Sequence, residues 1–435
     1  VKILLTASVL LILGASVRAA DVPTSVGLRE AIAAAVGSRI DAVTAGERAS
    51  QARSRSLQAN AALLPSLTAT LSETRTFKES LAAQGLSFPG FPTMLGPFDT
   101  FDARARLTQK LFDWGAWRRS QSGAAAARAA EAEEKAAREQ VAAAAALSYL
   151  EAVRAQRAVA AAKADKDVAD SLLSLARDRK EQGAATGVDV VRAQARAADA
   201  DAALLRARIG ETEAQLLLKR VAGWPLGREL KLSDDFTAAS SSAPALEPSL
   251  SAALTGRAEI SAAESRAQSE TLAAKAAFGD RMPSVVIGGD YAKSGTVPDD
   301  SRSVGSIGGA LSFPVFAGGL GKARQDEAES RTRQALADLA DVRQQVELDV
   351  RVALERLSES AQEESAAELS LGLAARELSM AQDRYGAGLG ASVDVIEAQA
   401  ELARARSAEV SALARYHSAR VNYAAAIGRA GEFSL

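Results

Sequence analysis

The sequence predicts an α+β chain in which one unit is written twice, each copy running helix, two strands, very long helix, turn and helix. Three observations carry that prediction. The prolines fall at 23, 65, 89, 92, 97, 225, 244, 248, 283, 298 and 314, which leaves about 115–224 and 315–435 free of them. A proline inside a helix costs on the order of 3 kcal/mol, so these two blanks are where helices run unbroken. Secondly, Ala176-Arg177-Asp178-Arg179 aligns with Ala381-Gln382-Asp383-Arg384, Val188-Asp189-Val190-Val191 with Val393-Asp394-Val395-Ile396, and Gly223 with Gly428, all at one constant offset. Finally, the hydrophobic period changes from helical to alternating at matched places in both copies.

In chain order, residues 1–19 have the layout of a secretory signal. Lys2 supplies the positive start, Ile3 to Val17 the apolar run, and Val17 with Ala19 the small side chains of a cleavage site. That run is shorter than the roughly 18 to 20 residues a spanning helix needs, and no later run approaches that length, so any membrane crossing is made without helices. With no cysteine, the N-terminus has no thiol for a lipid anchor. The first copy occupies 20–223, with strands at about 65–76 and 101–112, a long helix at about 115–182 and a second helix at about 188–222. A linker at 224–248, carrying Ser240-Ser241-Ser242, leads to the second copy at 249–435. There the strands are expected at about 284–293 and 304–315, the long helix at about 319–386 and its partner at about 392–428. Glycines near 183–187 and 386–390 divide each helical stretch, because glycine takes the left-handed conformation that ends a helix at no steric cost. At 1.5 Å per residue the longer helix spans roughly 100 Å, more than any compact domain.

Alanine makes up nearly a quarter of the residues and charged side chains 24%, a mix typical of long helices packed at close range. Small runs such as Ala142 to Ala146 let backbones approach, while Leu147, Leu150, Leu172 and Leu175 provide knobs at three-to-four spacing. Charges lie nearly all round, which suits a curved wall wet on one or both sides. In the strands, Leu67, Ala69 and Leu71 alternate with Ser66, Thr68 and Thr70, and Ala103, Ala105 and Leu107 with Asp102, Arg104 and Arg106. Val285, Ile287 and Tyr291 alternate with Ser284 and Asp290, and Ile307, Leu311, Phe313 and Val315 with Ser306 and Ser312. Such alternation fits strands between lipid and a wet lumen, and equally a soluble half-buried sheet. In the lipid case Arg104 and Arg106 face the lumen, and Trp114 and Trp117 stand at an interfacial aromatic belt; ordinary helix-start packing accounts for the two Trp as well. Four strands cannot close a barrel, and open edges in lipid leave backbone groups unpaired, so such a chain must oligomerise. Two copies give eight strands around a filled interior; three give twelve and room for a lumen.

Chemistry is sparse. With His417 the single histidine and no cysteine, no Cys-rich metal site exists, and a catalytic triad is possible only around one residue. No phosphate-cradling Gly-Lys-Thr or Gly-Lys-Ser is present. The protein is therefore expected not to be an enzyme and to use no cofactor or metal. The 52 basic and 54 acidic side chains give no net field to attract nucleic acid. His417, among Arg415, Tyr416 and Arg420, reads as a packing or surface residue.

The doubled layout, the Leu64-Pro65-Ser66 and Met282-Pro283-Ser284 strand starts, the Leu111-Phe112-Asp113-Trp114-Gly115 strand exit and the two Val-Asp-Val turns resemble the TolC-like outer-membrane efflux proteins. The resemblance covers nearly the whole chain after residue 19. It implies a homotrimer in the Gram-negative outer membrane, whose joint 12-stranded β-barrel continues into an α-helical barrel across the periplasm. It also implies a passive exit duct of a tripartite efflux or type I secretion system, docked on a periplasmic adaptor and an inner-membrane transporter of RND or ABC type. By the same resemblance Asp394 and Glu397 ring the periplasmic aperture and Tyr385 helps hold it closed; Asp189, just past the matching turn of the first copy, is a further candidate for that ring. Where some relatives carry an arginine in this turn, this chain has Gly390, which puts an arginine-based lock in doubt. The three acids also fit as first-turn residues that complement a helix dipole.

Two other classes remain on the sequence alone. An exported Ala-rich coiled-coil scaffold would show continuous heptads and needs no matched period-two segments. An exported hydrolase lacks a convincing nucleophile and base.

Overall fold

The computed structural model describes residues 25–80, 94–227, 229–237 and 244–435, so the expected signal at 1–19 lies outside the described residues. Short strand β1 (Ser25–Val26) is followed by α1 (Leu28–Ser38), α2 (Ile40–Ala61), β2 (Ser66–Thr76), β3 (Glu79–Ser80), β4 (Met94–Leu95) and β5 (Phe98–Phe112). Next come α3 (Trp114–Glu181), α4 (Gly187–Ala222) and β6 (Lys231–Leu232). The second copy contributes α5 (Leu246–Gly256), α6 (Ala258–Gly279), β7 (Ser284–Gly295), β8 (Ser301–Ser312), α7 (Leu320–Gly386) and α8 (Ser392–Ala426).

The second copy's last strand begins and ends three residues earlier than the expected 304–315. Ser312 is the final rung opposite Ser284, and Pro314 has no N–H to give a further one. Phe313, Val315 and Phe316 are left exposed. Helix α8 stops at Ala426 rather than 428 because Gly428 is left-handed, with φ 76°. The helix ahead of each strand pair is two helices, parted at Arg39 and Arg257, both extended. The 224–248 linker contains β6, which pairs in parallel with β1, and its end already belongs to α5.

One antiparallel sheet has the order β2-β5-β7-β8. Its register sorts the side chains by face, since directly paired residues point the same way. Leu67, Leu107, Gly289 and Ile307 form one apolar row and Ala69, Ala105, Tyr291 and Gly305 the next. The opposite face carries Thr68, Arg106, Asp290 and Ser306 in one row and Ser72, Asp102, Ser294 and Arg302 in another. There Arg104 bonds Asp102 (3.0 Å) and reaches across to Asp290. The apolar face is bare, with Leu67, Leu71, Ile307 and Leu311 all at least 66% exposed.

Below the sheet the helices form a layer. Asp113 starts α3 by accepting the Ala116 N–H at 2.8 Å, removing one orphan donor. The junction is tight: a Cβ on Gly279, at the end of α6, would sit 2.7 Å from the Gly115 nitrogen. Helices α2 and α6 flank the upper half of α3, through Arg53–Glu131 on one side and the Ser122–Ser269 hydroxyl pair on the other. Helices α4 and α8 flank its lower half, and α7 covers α6 and α8. The outer flanks remain uncovered, with Leu205, Ile209 and Leu217 on α4 and Leu336, Leu369 and Leu373 on α7 exposed.

Midway, α1, the β1–β6 pair, α5 and the C-terminal turn pad one face of this layer. Val26, Leu28 and Ala35 bury Ala145, Tyr149 and Val153 of α3, and the Tyr149 hydroxyl donates to the Val26 carbonyl at 2.9 Å. His417 is fully buried here rather than at a surface. Its ring stacks on Phe236 at 5.0 Å, with Nε2 2.9 Å from the Thr237 carbonyl and Nδ1 3.2 Å from an Arg420 nitrogen. Burial pushes its pKa down to about 4, so the ring is neutral, donating from Nε2 and accepting at Nδ1.

Candidate functional site

At the end of the layer away from the sheet, both copies turn back on themselves by the same chemistry. Gly183 and Gly388 take positive φ (75° and 77°). Their N–H groups donate to the Lys180 and Tyr385 carbonyls, and the next residues, Ala184 and Leu389, donate to Arg179 and Arg384 at 2.8 and 2.9 Å. These are the crossed bonds that satisfy a helix C-terminus when glycine follows it.

The helices that leave the turns start differently. Thr186 caps α4, and Asp189 three residues on closes a capping box by accepting the Thr186 N–H at 2.8 Å. In the second copy the equivalent cap is Ala391, which has no side-chain acceptor, and Asp394 accepts only a long 3.4 Å bond from the Ala391 N–H. The adjacent Ser392 is buried and gives its hydroxyl proton to Asp189 of the first copy. That bond, with those from Thr186, holds the Asp189 carboxyl below the usual carboxylate range. Asp189 is thus a structural acceptor joining the two tips.

Tyr385 sits inside the contact between copies, 5% exposed, among Leu172, Leu378, Val395 and Leu402. Its hydroxyl is buried without a hydrogen-bond partner. Arg179 crosses from α3, lies 4.4 Å from the Tyr385 ring centre, and donates to the Tyr385 and Gly386 carbonyls, the latter at 3.1 Å. The positive guanidinium sits where the α7 dipole leaves partial negative charge. Asp394 and Glu397 are exposed, and among the described residues neither has an ion-pair partner. The structure therefore brings Asp189 and Tyr385 into one inter-copy contact and leaves Asp394 and Glu397 free to face solvent.

Sequence reasoning missed Arg179 and Ser392. Arg179 had a signal, since it aligns with Arg384 at the repeat offset. Ser392 had none, because the bond it makes spans 203 residues. A Cβ at Gly390 would lie 3.2 Å from the Tyr385 nitrogen and 3.3 Å from the Arg384 Cβ, so this turn is crowded against a side chain. The guanidinium that binds the end of α7 is that of Arg179, from the other copy. Among the described residues no helix is long and apolar enough to cross a membrane, and no cluster of potential metal ligands is found.

The family model for outer membrane efflux protein matches residues 36–223 and 249–429. No curated protein matches the chain by sequence. Among solved structures, the CmeC outer membrane channel of Campylobacter jejuni superposes with a TM-score of 0.80 at 18% identity, covering 94% of this chain and 86% of that one. The outer membrane protein VceC of Vibrio cholerae gives 0.79 at 22% identity, with 92% and 96% covered. The open state of the Neisseria gonorrhoeae MtrE outer membrane channel gives 0.76 at 19% identity, with 92% and 88% covered. These likenesses establish the fold, and the family model spans both copies of the repeat. The chain belongs to the outer membrane efflux protein family, and its place is the outer membrane, with its helical layer extending into the periplasm.

Proposed function

We propose that this protein is the passive exit duct of a tripartite efflux or type I secretion system, working as a homotrimer. The observation that carries this reading is the pair of open edges. Among the described residues strands β2 and β8 are each paired on one side only, and below them the outer flanks of α4 and α7 expose Leu205, Ile209, Leu217, Leu336, Leu369 and Leu373. An unpaired strand edge in hydrocarbon costs several kcal/mol per backbone group. Joining the β8 edge of one chain to the β2 edge of the next pairs these groups; three chains give twelve strands and a lumen lined by the Arg104 and Arg106 face. A periplasmic adaptor and an inner-membrane transporter of RND or ABC type would supply cargo and energy, since the chain has no nucleotide-binding sequence; purified protein is expected to show no ATP hydrolysis.

Gating belongs at the tips. Three copies bring six carboxylates of Asp394 and Glu397 together at the aperture, and crowded like charges attract cations. Planar-bilayer recording tests the whole reading. The wild type should conduct with cation preference and be blocked by divalent cations. Replacing Asp394 and Glu397 together by Ala should weaken both effects and leave the trimer intact, because a first-turn acid contributes at most about 1 kcal/mol to its helix. Unchanged selectivity and block in the double variant would remove both residues from the gate, and absence of any conductance from folded protein would remove the duct.

A further inference from the structure

Just below the sheet, a cavity of about 650 Å³ opens between α3, α6 and α7. It is walled by Trp114, Phe278, Met282 and Ala274, and three cations, Arg118, Lys275 and Arg333, line it together with one acid, Glu329. Several other cations at this level are neutralised locally, Arg119 by Asp280, Lys322 by Asp326 and Arg331 by Glu327. Among the described residues none of the three lining cations has a carboxylate partner. Arg118 packs over two neighbouring rings, 4.4 Å from the centre of Trp114 and 4.6 Å from that of Trp117; one terminal nitrogen donates to the Gln121 side-chain oxygen at 2.8 Å, and its Nε is buried with no hydrogen-bond partner. Glu329 accepts from Gln325, which in turn accepts from Arg281. The cavity therefore holds an excess of unpaired positive charge against an apolar wall.

Its position says what fits there. Trp114 lies two residues past Phe112, and Met282 three before Val285, and Phe112–Val285–Leu311 is the last apolar row of the sheet. The cavity thus lies just past the sheet's last apolar row, at the level where acyl chains give way to headgroups. Counted in heptads along α3 and α7, its residues fall in register with residues on the padded side of the helical layer. Trp114 and Arg118 stand five heptads before Tyr149 and Val153, which α1 and β1 cover. Gln325, Glu329 and Thr332 stand three heptads before Val346, Val350 and Ala353, the α7 residues clustered with Ala253 of α5. Padding on the bore side would plug a duct, so this is the outer side, a step that rests on the trimeric duct proposed above.

We propose that this cavity is a binding site for an anionic phospholipid of the periplasmic leaflet, one per chain. Its phosphate is held by Arg118, Lys275 and Arg333, and an acyl chain lies against Trp114, Phe278 and Met282. Native mass spectrometry of the detergent-extracted protein, titrated with phosphatidylglycerol or phosphatidylcholine, tests it. Phosphatidylglycerol should bind to three per trimer and at least tenfold more tightly than phosphatidylcholine. A cation near a lipid surface is worth about fivefold in affinity, so Lys275→Gln with Arg333→Gln should weaken phosphatidylglycerol about 25-fold. Glu329→Gln, which removes the one opposing charge, should tighten it. Inorganic phosphate at millimolar concentration should not compete, because it has no chain for the apolar wall; competition would instead make this a free-anion site and overturn the lipid assignment. Equal phosphatidylglycerol binding by the double variant and the wild type, or no preference over phosphatidylcholine, would also overturn it. A trimer band sensitive to boiling, checked for every variant, separates loss of this site from failure of the duct reading.

Discussion

Arg179 shows how much one side chain does at the tip. It stacks on Tyr385 and donates to two carbonyls at the end of α7, while the rest of the inter-copy contact there is apolar packing and the Asp189–Ser392 bond. Hydrogen bonds to charged groups are worth about 1.5 to 3 kcal/mol each. Arg179→Gln is therefore expected to raise closed-state conductance several-fold in planar bilayers and to lower the midpoint of thermal unfolding, since it removes both bonds. An unchanged conductance would reduce Arg179 to a helix cap. His417 carries a pH signature of its own. Folding lowers its pKa from 6.5 to about 4, so the unfolded chain binds the proton more readily. Its contribution is fully present above pH 6.5 and is lost as pH falls toward 4, at about 1.4 kcal/mol per pH unit. His417→Gln should flatten that part of the pH–stability curve; a curve of unchanged slope would show that other groups set it.

At the scale of elements, the padded zone depends on close approach. Ala145, Ala146 and Ala152 of α3 are fully buried beneath α1, β1 and the segment around Phe236, which only small side chains permit. Ala145→Leu is expected to cost about 1 to 3 kcal/mol by overpacking, read as a lowered midpoint of thermal unfolding. The sheet makes the complementary case. Leu107 lies in the middle of the bare apolar face, and Leu107→Arg there should cost about 2 to 4 kcal/mol if that face meets hydrocarbon. The same change on a sheet wetted by water would be nearly neutral, so denaturant titration of the folded protein in bilayers distinguishes the two environments.

For the whole molecule, β2 and β8 each leave one edge unpaired among the described residues, and in the trimer proposed above the stability of one chain is bound to its neighbours. The detergent-extracted protein is expected to run as a trimer that boiling converts to unfolded monomer, with no folded monomer between them. Mass analysis that finds single folded chains in micelles would contradict this.

Two helices of almost seventy residues, four long strands and the duplication were legible because they depend on local rules. Proline sets where a helix cannot run, a left-handed glycine where it ends, and the alternation of Leu67, Ala69 and Leu71 which way a strand faces. The Asp189 and Asp394 tips followed from the repeat itself. The β1–β6 pair, the burial of His417, the Ser392–Asp189 bond and the meeting of three cations near Trp114 were not legible, because each joins residues far apart in the chain. No local pattern records which distant groups meet; only the packing of α3 against both copies decides it.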